Sequence, residues 1–395
     1  MLVLEQPLPA SKSAVWLPPS RWPTASEHLF TPGPYTPGPM PGMPGVITQY
    51  DTVRAVLMDR DGRWSRHVPE AVIPPAERHA TLYASWGADG AEHRMLRQSL
   101  NGINRGSTSE ARTFTKARTR ALMQLLMQES QPWDLSRVIY QVSMDLVIRH
   151  TLQAPMLLPY ARTLREFTRE HVSAVGGFFG IKRQPKAEDI LRQVITSQDS
   201  LPRDGLAYHL VHLMNQGQLS EKQVIGQLWL ICVSQETQAT AAASLLGMLL
   251  EFDELGYVRS ILDDPDAMKL LVNEAGRRAI VFPVSLALAA QETILDGHSI
   301  AQGEACLLSY AAANLDPTRF DRPLVFDPRA PREWSHLAFG EGRHRCQGEH
   351  GADEFMHDVI RVLAQELPRG VRLDDDILLR ETGISMAISK LPLTT

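Results

Sequence analysis

A mainly α-helical fold with a small β region, built as one large unit, is predicted by three features of the sequence. Apolar residues recur at helical spacing from Ala91 to about Leu271. Strand-like segments are short and lie mostly at 46–50, 284–312 and 370–392. Neither a linker nor a repeat period divides the 395 residues. With 44% hydrophobic and 22% charged residues the chain is near the globular averages, so it carries ample material for a core.

Residues 1–44 come first and stand apart. Thr31-Pro-Gly-Pro-Tyr and Thr36-Pro-Gly-Pro-Met form a near-repeat. Such a run cannot make a helix and is expected to lie extended over the surface or to stay mobile. Met1 to Ser20 has no basic start, no long apolar centre and four prolines, so it is not read as a signal peptide or an anchor. Residues 45–395 form the single folded unit. Gly45-Val-Ile-Thr-Gln-Tyr50 reads as a strand, and Asp51 as the cap of a helix that buries Val53, Val56 and Leu57. Residues 61–90 are irregular, with Pro69, Pro74 and Pro75, and a long loop in a folded unit is often functional. Helical faces follow at Leu96, Leu100 and Ile103, at Leu122, Leu125 and Leu126, and at Leu146 and Val147.

From Val224 to Leu250 the only charged residue is Glu236, and the length suffices to span a bilayer. Gln235, Thr237, Gln238 and Thr240 cluster mid-segment, where lipid penalises polar groups most. The segment therefore reads as a long helix buried in protein, and a cytoplasmic protein without a membrane span is expected. Lys plus Arg is 40 against 45 Asp plus Glu, a formal charge of −5 that argues against nucleic-acid binding through bulk charge. Three cysteines exclude a disulfide scaffold.

The most specific stretch runs His336-Leu-Ala-Phe-Gly-Glu-Gly-Arg-His-Arg-Cys346-Gln-Gly348. Glycines at this density let backbone bend tightly and approach a flat ligand. A helix follows, burying Phe355, Met356, Val359, Ile360 and Leu363. Cys346 thus precedes a helix N-terminus, whose dipole favours a thiolate suited to axial ligation of iron. Two other readings stay open. Cys346 is an inert buried thiol, or it joins His336, His344 and His350 around zinc.

At Phe339, Gly340, Gly342, His344, Cys346 and Gly348 the segment resembles the haem-binding pattern of the cytochrome P450 superfamily, Phe-Gly-x-Gly-x-His-x-Cys-x-Gly. Three further stretches are similar to that family and occur in family order. Glu274-Ala-Gly-Arg277 matches Glu-x-x-Arg, with both side chains on one helical face. Ser234-Gln-Glu236-Thr237 matches the acid–alcohol pair of the family's distal helix. Asp89-Gly-Ala-Glu-His93-Arg-Met-Leu-Arg97 matches a Glu-His-x-x-x-Arg helix. There are departures as well. Val233 and Ser234 replace a usual small pair, and Gln238 replaces a common hydroxyl. No arginine lies between Arg278 and Arg319, where the family usually carries one toward a propionate just before a β hairpin.

The resemblance implies the P450 fold, a triangular helical prism with a small β lobe. It implies haem b, with Cys346 as proximal metal ligand, Phe339, Gly340 and Gly348 shaping the loop, and His93, Arg97 and His344 toward the propionates. Glu274 and Arg277 are then the structural pair that locks the loop before the cysteine, and Glu236 and Thr237 the catalytic proton route. A substrate pocket by family position draws on Tyr83, Trp86, Phe178, Phe179, Val233, Ser285, Ile384 and Met386. These are mostly apolar or aromatic, so a hydrophobic or aromatic small molecule is expected. Electrons are expected from a separate ferredoxin and ferredoxin reductase, with Arg343 and Arg345 as one place to meet an acidic partner. The implied activity is a monooxygenase of bacterial natural-product biosynthesis. A fainter similarity is to P450s that tailor aromatic cyclic dipeptides, some by oxidative coupling without oxygen insertion. A haem- or zinc-binding protein without turnover is the remaining class.

Overall fold

In the computed structural model the described residues are 3–6, 14–15, 32–38, 44–67, 73, 76–101, 106–174, 183–278, 281–331, 334–374, 378–381 and 386–395. Twelve helices are described: α1 (Tyr50–Leu57), α2 (Gly90–Ser99), α3 (Ser109–Leu126), α4 (Leu135–Leu146), α5 (Ala161–Ala174), α6 (Pro185–Thr196), α7 (Leu206–Asn215), α8 (Glu221–Glu251), α9 (Leu255–Ser260), α10 (Pro265–Arg278), α11 (Tyr310–Ala313) and α12 (Glu349–Glu366).

The axis of the molecule is α8, whose 31 residues span about 46 Å at the helical rise. Its start is fixed by a capping box, in which Ser220 and Gln223 each satisfy the other's backbone N–H. It is apolar nearly all round because α4, α5, α6, α7, α10 and α12 pack against it. One core, with Leu122, Leu126, Val142, Leu245, Leu249 and Leu363, lies between α3, α4, α8 and α12. A second, with Leu96, Ile148, Leu164, Leu228 and Ile231, covers the first half of α8. No helix among the described residues is long and apolar enough to cross a membrane.

The strands are small. β2 (Gly45–Ile47), β3 (Trp64–Ser65), β5 (Val284–Ala289) and β8 (Ala305–Ser309) form one sheet in the order β2-β8-β5-β3. β3 pairs antiparallel with β5, Trp64 opposite Ala289 and Ser65 opposite Leu288. β6 (Thr293–Leu295) and β7 (His298–Ile300) make a hairpin beyond it. β1 (Ala14–Val15), β10 (Leu378–Glu381) and β11 (Met386–Lys390) form a second sheet, and β4 (Trp133–Asp134), β12 (Pro392–Thr394) and β9 (Arg372–Leu373) a third.

One local expectation changes. Asp51 does not cap α1. Gln49 is the N-cap without a side-chain bond, while Tyr50 N donates to Asp316 Oδ2 at 2.9 Å, so the cap comes from 266 residues away. Asp51 lies in the first turn and pairs with Arg319. The described parts of the N-terminal segment rest on the folded unit. Leu4 is buried, Glu5 N donates to Gln141 Oε1 at 3.0 Å, and Thr36 bridges Val46.

Candidate functional site: the cysteine loop and the open face of α8

The loop before Cys346 is held from below by a buried ion pair. Glu274 and Arg277 face one another one turn apart on α10, each side chain about 1% exposed. The guanidinium donates to both carboxylate oxygens at 2.8 and 2.7 Å. It also donates to the carbonyls of Asn314, Pro323 and Val325, and Glu274 Oε1 accepts from Asp327 N. Asn314, fully buried, accepts from Leu337 N at 2.7 Å, and Gly340 N donates to Leu337 O at 2.9 Å. The pair therefore reaches the glycine loop through one amide. Nothing local in the sequence marks Asn314, because its partners are distant in the chain.

Gly340 and Gly342 have φ of +67° and +69°, the left-handed region that glycine adopts without strain. A Cβ on Gly342 would strike Leu57 O at the end of α1. The loop then folds back so that Cys346 N donates to Phe339 O at 2.8 Å. A Cβ on Gly348 would lie 3.9 Å from Sγ of Cys346, an ordinary contact, so this position borders the sulfur without crowding it. Cys346 is exposed, whereas Cys232 and Cys306 are buried and have thiols pushed up to about 12.

The sequence suggests that the α12 dipole favours a thiolate. The structure adds a stronger opposing effect: burial of the surroundings pushes the Cys346 thiol up, while the Gly348 N–H and the Arg97 charge pull it down. In the bare protein desolvation wins. A bound cation would reverse that balance, because a coordinating thiol is deprotonated.

Above the loop, α2 brings His93 and Arg97 together with His344. The His93 and His344 rings lie 4.2 Å apart. His93 is 3% exposed, and its Nε2 has no hydrogen-bond partner among the described residues. Burial holds His93 down to about 4, helped by His344 and Arg97, and lowers His344 as well. Arg97 donates to Arg345 O at 2.8 Å and Gln347 Nε2 returns a bond to Arg97 O at 3.0 Å, so α2 is tied to the cysteine loop on both sides. His344 Nε2 faces Asp89 Oδ1 at 3.1 Å. These residues fit a haem: an exposed cysteine, a tight glycine turn that leads to it, and an orphaned imidazole beside cationic donors.

The zinc alternative finds no geometry. His336 packs against Gly276, and His350 is exposed on α12. Among the described residues the one cluster with ligand spacing is Glu354, His357 and Asp358, where Arg112 already bonds both carboxylates.

On α8 most side chains are buried, but Leu230, Ser234, Thr237 and Ala241 keep partial exposure. Their spacing of i, i+4, i+7 and i+11 puts them on one face, which is the open side of an otherwise enclosed helix. Thr237 Oγ1 donates to Ser234 O at 2.9 Å, and Ser234 Oγ to Ile231 O at 2.6 Å. Glu236 lies off that face at 1% exposure, where Gln235 Nε2 donates to its Oε2 at 3.4 Å and to Thr168 Oγ1 at 2.7 Å. Val233, 7% exposed, flanks the open face.

The other pocket candidates are dispersed. Tyr83 stacks under Lys222 and Arg78, with the ammonium 5.4 Å and the guanidinium 6.0 Å from its ring. Trp86 packs on Ile73 and Leu82. Ser285 accepts from Arg66. Met386 opens β11, whereas Phe178, Phe179 and Ile384 lie outside the described residues. Arg343 and Arg345 are engaged within the chain, with Asp59 and Glu349.

No family model matches the chain. It is 24% identical to cytochrome P450 CYP105Q4 of Mycobacterium marinum, covering 89% of this chain and 87% of the other. It is 25% identical to the mycinamicin IV hydroxylase/epoxidase of Micromonospora griseorubida over 83% of each. The solved structure of the mycinamicin VIII C21 methyl hydroxylase MycCI from Micromonospora griseorubida, bound to mycinamicin VIII, superposes with a TM-score of 0.79 at 19% identity, covering 95% of this chain and 99% of that one.

Proposed function

Taking the chain as a member of the cytochrome P450 superfamily, of bacterial type, we propose that it is a haem-thiolate monooxygenase of secondary metabolism that oxidises a mostly nonpolar small molecule. The cysteine loop carries this reading: an exposed cysteine, a turn at Gly340 and Gly342 that only glycine adopts without strain, and a loop braced through Asn314 to a buried ion pair. Haem b bound there supplies dioxygen activation and one-electron chemistry.

The chain's own residues then have separable tasks. Cys346 would ligate the metal. His93, Arg97 and His344 would hold the carboxylates of the group, and the buried His93 Nε2 is open for such a bond. The open face of α8 receives the substrate and keeps bulk water from it, with Leu230 and Ala241 as apolar walls. Thr237 offers a hydroxyl on that face, and its bond to Ser234 O orients the oxygen's lone pairs outward. Glu236, held by Gln235, is the nearest buried acid for passing protons to it. A ferredoxin and its reductase deliver the electrons.

Oxygen insertion accords with the name of the mycinamicin IV relative, a hydroxylase and epoxidase, and oxidative coupling is kept as the second reading. The test is a spectral titration of the purified haem-loaded protein with apolar aromatic ligands, cyclic dipeptides included, followed by turnover under labelled dioxygen. A ligand-dependent shift of the haem band and label in the product are expected. Absence of haem from protein made with ample haem overturns the reading. A product that loses hydrogen and gains no label replaces insertion by coupling.

A further inference from the structure

The strand β5 ahead of the β6–β7 hairpin has no arginine, yet a guanidinium occupies the space beside it. Arg66 follows directly on β3, which pairs with the far end of β5. Its side chain runs along β5 and donates to Ser285 Oγ and, at 3.1 Å, to Tyr310 OH. A small cavity there is lined by Arg66, Ala287, Leu308, Arg343 and His344. Arg343 is already paired with Asp59. Arg66 is half-buried, and the partners of its guanidinium are two neutral hydroxyls.

Asp89 makes this arrangement rigid. Its Oδ2 accepts from Ser65 Oγ at 2.6 Å, from Arg66 N at 2.9 Å and from His67 N at 3.0 Å. Its Oδ1 faces His344 Nε2. One carboxylate thus fixes the backbone of Arg66 and the ring of His344 together. Asp89 already has these partners, so among the described residues the charge of Arg66 is left without an anion. A half-buried guanidinium of this kind is stabilised most by a carboxylate, through charge-assisted and often bidentate bonds.

We propose that Arg66 holds a carboxylate of the bound haem together with His344, supplying from β3 the arginine that β5 lacks, in a site set by Asp89. The inference rests on the haem assignment above and adds a residue and an element to it. Ser285 is then an orienting partner of Arg66.

The test follows haem release from the loaded protein into excess apomyoglobin, without any turnover. Arg66→Ala is expected to release haem at least tenfold faster than wild type, with Arg66→Lys in between. Adding Ala287→Arg to Arg66→Ala is expected to bring the rate back toward wild type, because Ala287 lines the same cavity. Thermal unfolding of each variant without haem reports on folding separately. A release rate unchanged in Arg66→Ala overturns the proposal. So does a faster rate that Ala287→Arg leaves uncorrected while unfolding of the haem-free protein is lowered, since Arg66 is then a strut for β3 alone. Wild-type protein that takes up no haem would instead remove the functional reading beneath it.

Discussion

Arg277 and Asn314 bond each other in both directions. The guanidinium donates to Asn314 O at 3.0 Å, and the Asn314 side-chain amide donates back to Arg277 O at 3.3 Å. The remaining oxygen of that amide takes Leu337 N. A buried charge at the end of α10 is thereby connected to the backbone that positions the cysteine, with no flexible side chain between.

Breaking this connection has two graded outcomes. Arg277→Met leaves the Glu274 carboxylate buried without its cation and is expected to cost about 3–5 kcal/mol. Asn314→Ala leaves the Leu337 N–H and the Arg277 carbonyl without partners and is expected to cost about 1–3 kcal/mol. Denaturant unfolding measures both. Equal, small losses would show that the amide carries no part of the strain on the loop.

Gly342→Ala is expected to destabilise by about 1–3 kcal/mol from the left-handed backbone alone. The clash with Leu57 O at the end of α1 adds to that. Haem content should fall in parallel with the melting temperature. Gly351→Ala, in the open on α12, is the control and should be neutral or slightly stabilising.

The pH dependence has two opposing contributions. His79 and His171 stack at 4.3 Å beside Trp229, and burial lowers His79 to about 3 and His171 well below its ordinary value. An unfolded histidine takes its proton near 6.5, so the unfolded state binds more protons below that pH. Stability is expected to be lost progressively as pH falls from about 6.5 toward 3. His79→Asn, which can still accept from Thr81 N, should flatten that slope. Asp353 runs the other way. Burial and the charges of Glu349 and Glu354 raise it from 3.8 to about 7. Its folded form holds a proton that the unfolded form has lost, so its contribution is lost as pH rises to about 7. Asp353→Asn should therefore raise relative stability on the neutral side. Urea midpoints measured from pH 4 to 8 check both signs.

Thr237→Ala is expected to keep haem and ligand binding, because the hydroxyl bonds only Ser234 O of its own helix. Product formed per electron consumed should drop by about 10²-fold if the hydroxyl relays protons. An unchanged yield would assign Thr237 to the wall of the site. Glu236→Gln separates the acid from its shape, since the buried amide can still meet Gln235.

The cysteine loop and the long helix are legible in the sequence for different reasons. The glycines and Cys346 fall within ten residues, and an apolar run with one charge can only be α8 once its polar centre excludes lipid. The Glu274–Arg277 pair is legible as a spacing. The supports of the site are not. Asn314, Asp89, Asp316 and Arg66 act on partners 23 to 266 residues away. No local period encodes such contacts. Asp51 shows the converse error: a good capping residue next to a helix start, but the helix begins one residue earlier, at Tyr50, whose N–H is taken by Asp316 through the tertiary fold.

The open face of α8 also sets a length. From Leu230 to Ala241 the helix rises about 16 Å, so a ligand lying along it meets the chain at graduated heights. If that face receives the substrate as proposed, a larger side chain at Leu230 crowds one end of it and a larger one at Ala241 the other. The two substitutions push the same molecule in opposite directions past Thr237. Regioselectivity should then shift in opposite senses, making which carbon is oxidised a matter of longitudinal position.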